Sequence, residues 1–360
     1  MKKIKVLVLV GLVFGIGLYA EFVDLGSDPT KIEIAEIKDV AIENGYEFSA
    51  WSPDGNYFAV SNSNNQKTII YKNDGILFKR FNGVIKSWSQ DSKKILCTDA
   101  KISKTHIYDI LTGAQKDLDY FSYERCISFY KDNNYLIYFA RKNSNGLKYA
   151  DIKIRNIGTT EETKLFSTQA SSSTKVNFDM KYFSDDKMFY TKYEYPNSGR
   201  PERYLYKLDL TKGREEKIKM DYYSRDFIQI NNSKLIFITS DGKGINYYLD
   251  ENLKLIGKLA YDINDVFLNK GKEFVPGETI VSIDENIVPN GKLVILTKGT
   301  YDYHENPVYE FLYIYDFKGN SKKLNVPKPV HLLGIAPNGY QVLVLVADSL
   351  KLINLRKIDQ

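Results

Sequence analysis

The chain has 360 residues, 43% hydrophobic and 14% aromatic, with 50 Lys and Arg against 45 Asp and Glu. That much apolar side chain supplies a large core and excludes a disordered tail. Two cysteines exclude a disulfide-dense scaffold and a Cys-rich zinc framework.

Lys2, Lys3 and Lys5 precede an uncharged run from Val6 to Ala20, which Glu21 ends. The run is shorter than the roughly 20 residues a bilayer span needs. A basic start, a short apolar run and a small terminal residue together describe an export signal, with cleavage expected after Ala20. Leu18, at the minus-three position, is larger than that site favours, which leaves an N-terminal membrane anchor as the alternative. No Cys near the end of the run offers a point for lipid attachment. Residues 1–20 therefore read as signal or anchor, 21–29 as a short linker, and 30–360 as the folded body. Without the first twenty residues the charge balance is 47 basic against 45 acidic, or +2 rather than +5. The basic character belongs to the signal, so nucleic acid is not expected as a partner, and a membrane only if the N-terminal segment is uncleaved.

From there the chain repeats itself. Ser52-Pro53-Asp54-Gly55 lies between the apolar stretches 48–51 and 57–60 and has the composition of a tight type I-like turn. Related turns follow at Ser89-Gln90-Asp91-Ser92, Tyr130-Lys131-Asp132-Asn133, Ser184-Asp185-Asp186-Lys187, Asn231-Asn232-Ser233, Pro289-Asn290-Gly291 and Pro337-Asn338-Gly339, each ahead of an apolar strand. The marker residues Asp54, Asp91, Asp132, Asp186, Asn232, Asn290 and Asn338 are spaced by 37, 41, 54, 46, 58 and 48. A mean near 47 suits a four-stranded propeller blade. A second hairpin follows each of the first six, as in 106–118, 205–218 and 312–324, so each of these repeats predicts four antiparallel strands. The seventh supplies three, and residues 31–37 are available as its fourth, which removes an open sheet edge. The fold class predicted is all-β, a seven-bladed β-propeller closed by an N-terminal strand, with six or eight blades as alternatives because repeats three and five are long.

Trp51-Ser52-Pro53-Asp54-Gly55, followed by its apolar strand, resembles the WD-like repeats of the TolB propeller. It is also similar to the propeller domains of the prolyl oligopeptidase and dipeptidyl peptidase families. The resemblance covers roughly residues 30–360 and is crisp at 52–60. About ten residues separate the apolar run from the first strand, too few for the α/β domain of TolB, and no G-x-S-x-G nucleophile elbow is present. The resemblance thus implies a lone propeller working in the periplasm or outside the cell, and an envelope protein or peptide as partner.

Function is expected on loops held by the rigid ring. Strand direction places the tight Asp/Gly turns on one rim. The other rim carries the segments 141–150, 192–203 and 300–310 and the inter-blade connections 120–125, 222–225 and 269–278, all read as loops. The candidate binding residues there are Arg141, Tyr193, Tyr195, Arg200, Arg203, Arg225, Tyr301, Tyr303 and His304, since Tyr and Arg provide broad contact and directional hydrogen bonds. Asp54, Asp91, Asp132 and Asp186 are read as turn formers rather than a carboxylate set. His106 and His331 fall in strands, where packed or edge histidines are expected. With three scattered His, no Cys cluster and no nucleotide fingerprint, no catalytic residue, metal or cofactor is expected. The chain is read as a non-catalytic binder. The alternatives are a glycan-active or hydrolytic enzyme with carboxylates in the central funnel, and a saccharide-binding module. Cys97 and Cys126, on adjacent blades, are either two buried thiols or a disulfide.

Overall fold

The structure, a computed structural model, describes residues 24–358 apart from 120–124, 145–146, 171–178, 185–186, 195–201, 219–222, 231–233, 241–244, 251–253, 261–280, 289–291, 302–306 and 319. The expected N-terminal signal and the turns at Asp186, Asn232 and Asn290 lie outside the described residues. Among the described residues, one 3-10 turn (Pro29–Lys31) precedes twenty-eight strands in seven four-stranded antiparallel sheets.

Blade 1 holds β2 (Glu47–Trp51), β3 (Tyr57–Asn62), β4 (Lys67–Lys72) and β5 (Leu77–Asn82), after β1 (Ile32–Val40). Blade 2 holds β6 (Val84–Trp88), β7 (Lys94–Asp99), β8 (Lys104–Asp109) and β9 (Gln115–Asp119). Blade 3 holds β10 (Arg125–Tyr130), β11 (Tyr135–Ser144), β12 (Leu147–Asn156) and β13 (Glu162–Ala170). Blade 4 holds β14 (Asp179–Ser184), β15 (Lys187–Glu194), β16 (Glu202–Asp209) and β17 (Arg214–Ile218). Blade 5 holds β18 (Tyr223–Ile230), β19 (Lys234–Ser240), β20 (Ile245–Leu249) and β21 (Leu255–Ala260). Blade 6 holds β22 (Val281–Ile287), β23 (Leu293–Tyr301), β24 (Pro307–Asp316) and β25 (Ser321–Leu324). Blade 7 takes β26 (Val330–Ile335), β27 (Gln341–Val346) and β28 (Ser349–Lys357) from the end of the chain and β1 from its start, in the order β1-β28-β27-β26. The expected closing strand is thus present, paired from Ile32 opposite Lys357 to Val40 opposite Leu350.

The second strands show why the blades stack. β3, β7 and β27 are buried along nearly their whole length, on both faces, as near-continuous apolar runs require. The hydrophobic clusters sit between blades. One joins Ala59, Ile70 and Phe81 of blade 1 to Ile85, Trp88 and Tyr108 of blade 2. Others join blades 2 and 3 through Leu96 and Leu136, blades 3 and 4 through Ile137 and Met188, blades 6 and 7 through Ile295 and Val344, and blades 7 and 1 through Leu352 and Phe58. Blades 5 and 6 meet where Phe317 packs on Tyr248, centroids 4.9 Å apart, and on Gly257, which leaves no room for a Cβ. In all seven blades the pairing of the first strand with the second carries a register shift, for example between Phe48 and Ala50, Ile85 and Ser87, and Leu332 and Gly334. One extra residue increases local twist, which suits the crowded inner end of each blade.

Candidate functional site

Because successive strands reverse direction, the connections from first to second and from third to fourth strand share one rim, the turn rim. The hairpins between second and third strands share the opposite one, the hairpin rim. Where the described residues reach into the segments expected as loops on the hairpin rim, at 141–144, 147–150, 192–194, 202–203, 300–301 and 307–310, they are strand. Arg141 lies in β11, Tyr193 in β15, Arg203 in β16 and Tyr301 in β23. β11 and β12 pair without interruption from Tyr135 opposite Asn156 to Ser144 opposite Leu147. Asn145-Gly146 between them has the composition of a two-residue hairpin turn. On β15 and β16 the register sets Tyr193 opposite Arg203. Arg225 lies not in an inter-blade loop but in β18, at the register shift between Ser224 and Asp226. Tyr195, Arg200, Tyr303 and His304 lie outside the described residues.

A cleft of about 380 Å³ opens on the other, turn rim, between blades 1 and 2. Its lining repeats with the spacing of the blades: Asp54, Asn56 and Asn73 in one, Asp91, Lys93 and Ile110 in the next, with Tyr57, Lys72, Ser92 and Leu111 completing it. Asp54 accepts from the Ser52 hydroxyl at 2.6 Å, the Asn56 N–H at 3.0 Å and the Asn56 amide at 2.9 Å. Asp91 accepts from the Ser89 hydroxyl at 2.7 Å and the Lys93 N–H at 3.1 Å. These carboxylates hold their own turns, as the sequence suggested. The inner and outer turns of each blade are tied together by Asn73 N–H to Asn56 O at 2.8 Å and Ile110 N–H to Lys93 O at 2.9 Å. Tyr57 forms the floor, 5.1 Å from Phe78 and 6.5 Å from Trp88; burial, then the Asp54 charge, raises its phenol above the ordinary value. Lys72 and Lys93 stand exposed at the mouth. The volume is at the low end for a small-ligand site. Asn56, Lys72, Asn73, Lys93 and Leu111 were not singled out from the sequence. Their signal was the repeated 37-residue offset between equivalent positions.

Across blade 2, the register aligns Cys97, His106 and Asp117 in one row. Nδ1 of His106 lies 2.8 Å from Asp117 Oδ1, while its Nε2 is buried without a hydrogen-bond partner. Cys97 is a free, fully buried thiol that burial pushes up to about 12. A thiol so protonated and enclosed is no nucleophile, so the row is packing, not a triad. His106 is buried and His331 half-buried in strands, as expected. Cys126 lies on β10. Among the described residues no group of three His, Cys, Asp or Glu side chains could hold a metal ion.

Solved structures similar to this chain share its architecture. Oligogalacturonate lyase from Vibrio parahaemolyticus matches with a TM-score of 0.57 at 11% identity, over 90% of this chain and 97% of that one. The β-propeller domain of the Trilobed protease from Pyrococcus furiosus matches with 0.53 at 13%, over 89% and 97%. The RRP9 WD40 repeats match with 0.52 at 9%, over 90% and 100%. At such identities the likeness shows the fold, and the fold is a β-propeller. No protein-family model and no curated protein sequence matches the chain.

Proposed function

We propose that this chain is an exported, TolB-like β-propeller that recognises a protein or peptide of the cell envelope through its hairpin rim. The observation that supports this reading most is the lengthening of three middle hairpins. β11 and β12 have 10 residues each, β15 and β16 have 8, and β23 and β24 have 9 and 10, against 6 in β3, β4, β7 and β8. The shorter strands already suffice to build a blade, so the added ladder lengthens these blades at the hairpin rim. Its backbone is paired in the ladder and includes Arg141, Tyr193, Arg203 and Tyr301; binding residues on paired strands have less backbone freedom to lose on binding than residues on loops. Export is supported by the basic start and apolar run of residues 1–20.

The test is capture in intact cells with a photo-crosslinking residue in place of Arg141, followed by mass identification of the adduct. The Tyr193→Ala/Arg203→Ala variant is expected to weaken binding of the identified partner by about tenfold or more, the scale of an interface hot spot. Unchanged binding, or adducts forming only from the turn rim, counts against this surface.

A further inference from the structure

We infer that the cleft between blades 1 and 2 binds a small organic acid, with the Lys72 and Lys93 amines on its carboxylate and the Tyr57 ring under its apolar body. This goes beyond the proposed partner binding, which uses the opposite rim. The first support is the cleft itself, about 380 Å³ lined by side chains of both blades. Its outer wall is held in place. The Leu111 N–H donates to Asp109 Oδ1 at 3.0 Å, and the Leu111 carbonyl accepts from Lys79 Nζ, which ties the outer turn of blade 2 to blade 1. Ile110 is 1% exposed, while Leu111 is 58% exposed. A preformed wall needs little ordering on binding, and the apolar body of a ligand would take the Leu111 side chain out of water.

The second support is charge. Asp54 and Asp91 line the cleft, but their own turns hold them: Asp54 through the Ser52 hydroxyl and two donors of Asn56, Asp91 through the Ser89 hydroxyl and the Lys93 N–H. The Lys72 and Lys93 amines, among the described residues, form neither an ion pair nor a hydrogen bond. Lys72 Nζ rests 5.8 Å from the centre of the Phe78 ring, which packs 5.1 Å from Tyr57. An ammonium on a flexible stem turns its three donors to an arriving anion, and the carboxylates already bonded within the turns have less to offer a cation. The Tyr57 hydroxyl and the Asn73 side-chain amide also make no hydrogen bond among the described residues, so each adds a donor for the oxygens of an acid. The third support is the repeat. The turn builders recur at the 37-residue offset, Ser52 as Ser89 and Asp54 as Asp91. The amines do not: Lys93 stands where blade 1 has Asn56, and Lys72 where blade 2 has Asp109. A blade forms without an amine at either position, so blade architecture does not account for the pair.

The probe is para-fluorophenylacetate, followed by its fluorine NMR line width as the purified full chain is titrated in. Para-fluorobenzyl alcohol and para-fluorophenethylamine are its neutral and cationic counterparts. The acid is expected to bind at about 1 mM, a fragment's affinity, and about fivefold more tightly than either counterpart, the scale of exposed charge pairs. Lys72→Gln/Lys93→Gln should weaken it about fivefold without moving Tm, since both side chains are exposed, and Lys72→Arg/Lys93→Arg should retain it. Lys67→Gln, at the hairpin end of blade 1, should leave binding unchanged. Equal binding of the three probes, tighter binding of the amine, no binding of the acid, or full binding by the double Gln variant overturns the inference. Competition with the tripeptide Gly-Gly-Phe, ending in a free carboxylate or in an amide, reads the source of the acid. Displacement by the carboxylate form alone supports the site and assigns it to the end of a peptide chain. Displacement by neither form supports it as a site for a free small acid, and equal displacement by both overturns it. The hairpin variant Tyr193→Ala/Arg203→Ala should leave acid binding unmoved, so the two proposals fail separately.

Discussion

Ser89 shows what one hydroxyl does for a blade. It is fully buried, donates to Asp91 Oδ1 at 2.7 Å and accepts from the Lys94 N–H at 2.7 Å; Ser52 makes the equivalent pair with Asp54 and Tyr57. Ser89→Ala leaves the Lys94 N–H without its acceptor and takes one donor from Asp91, and its expected cost is about 1–3 kcal/mol, read from equilibrium denaturation. On the outer turns the carboxylates act alone. Asp209 accepts from the Thr211 hydroxyl at 2.6 Å, the Lys212 N–H at 2.9 Å and the Thr211 N–H at 3.0 Å, which holds its carboxyl down to about 2. The folded value lies below the unfolded one, so this stabilisation is complete above about pH 4 and fades as pH falls toward 2. Asp209→Asn should flatten that part of the stability–pH profile; an unaltered profile between pH 4 and 2 would show the turn indifferent to the charge. The turn-forming Asp residues were legible because their partners lie two or three residues away. The exposed Leu111 and Ile76 were not, because exposure depends on neighbours distant in sequence.

At the scale of the hairpin, the last turn position is left-handed in equivalent blades: Gly55 at φ 71°, Ser92 at 59°, Asn133 at 62° and Gly339 at 89°. The side chains that replace glycine there reach back to the preceding blade. The Asp54 N–H donates to Ser92 Oγ at 3.0 Å and the Gln90 N–H to Asn133 Oδ1 at 3.0 Å. At Gly55 a Cβ would crowd the Asn338 backbone nitrogen at 3.0 Å. Gly55→Ala is therefore expected to destabilise by about 1–2 kcal/mol from backbone handedness alone, and by more through contact with blade 7, seen as a lowered Tm. The hairpins themselves were readable from turn composition and apolar runs. The register shift shared by every inner pair was not, because it is a relation between two strands and leaves no mark on either alone.

Across the whole molecule, stability depends on blade 7, where strands from opposite ends of the chain meet. Ile32 on β1 is fully buried in the cluster it shares with Ile353, Val344 and Leu293. Arg356 pairs with Glu33 at 2.5 Å on the exposed side. Ile32→Ala should cost about 2–5 kcal/mol, as for a large-to-small change in a packed core. Because β1 closes the ring, the loss should appear as lower cooperativity in denaturant as well as a lower midpoint. Opening this sheet bares the edge of β28, and an unpaired edge invites association between chains.

Spacing, turn composition and apolar runs alone determined a repeating all-β chain of four-stranded antiparallel units, and the one-strand shortfall of its last repeat implied the closing strand from residues 31–37. Those features are local, or follow from counting, so they survive in one dimension. Tertiary structure decided that Arg141, Tyr193, Arg203 and Tyr301 ride on extended ladders rather than loops. It also aligned Cys97, His106 and Asp117 without making them reactive, and brought Lys72 and Lys93 of adjacent blades to one cleft. Each depends on which strands neighbour one another and how far their pairing runs, which is fixed only when blades pack against blades.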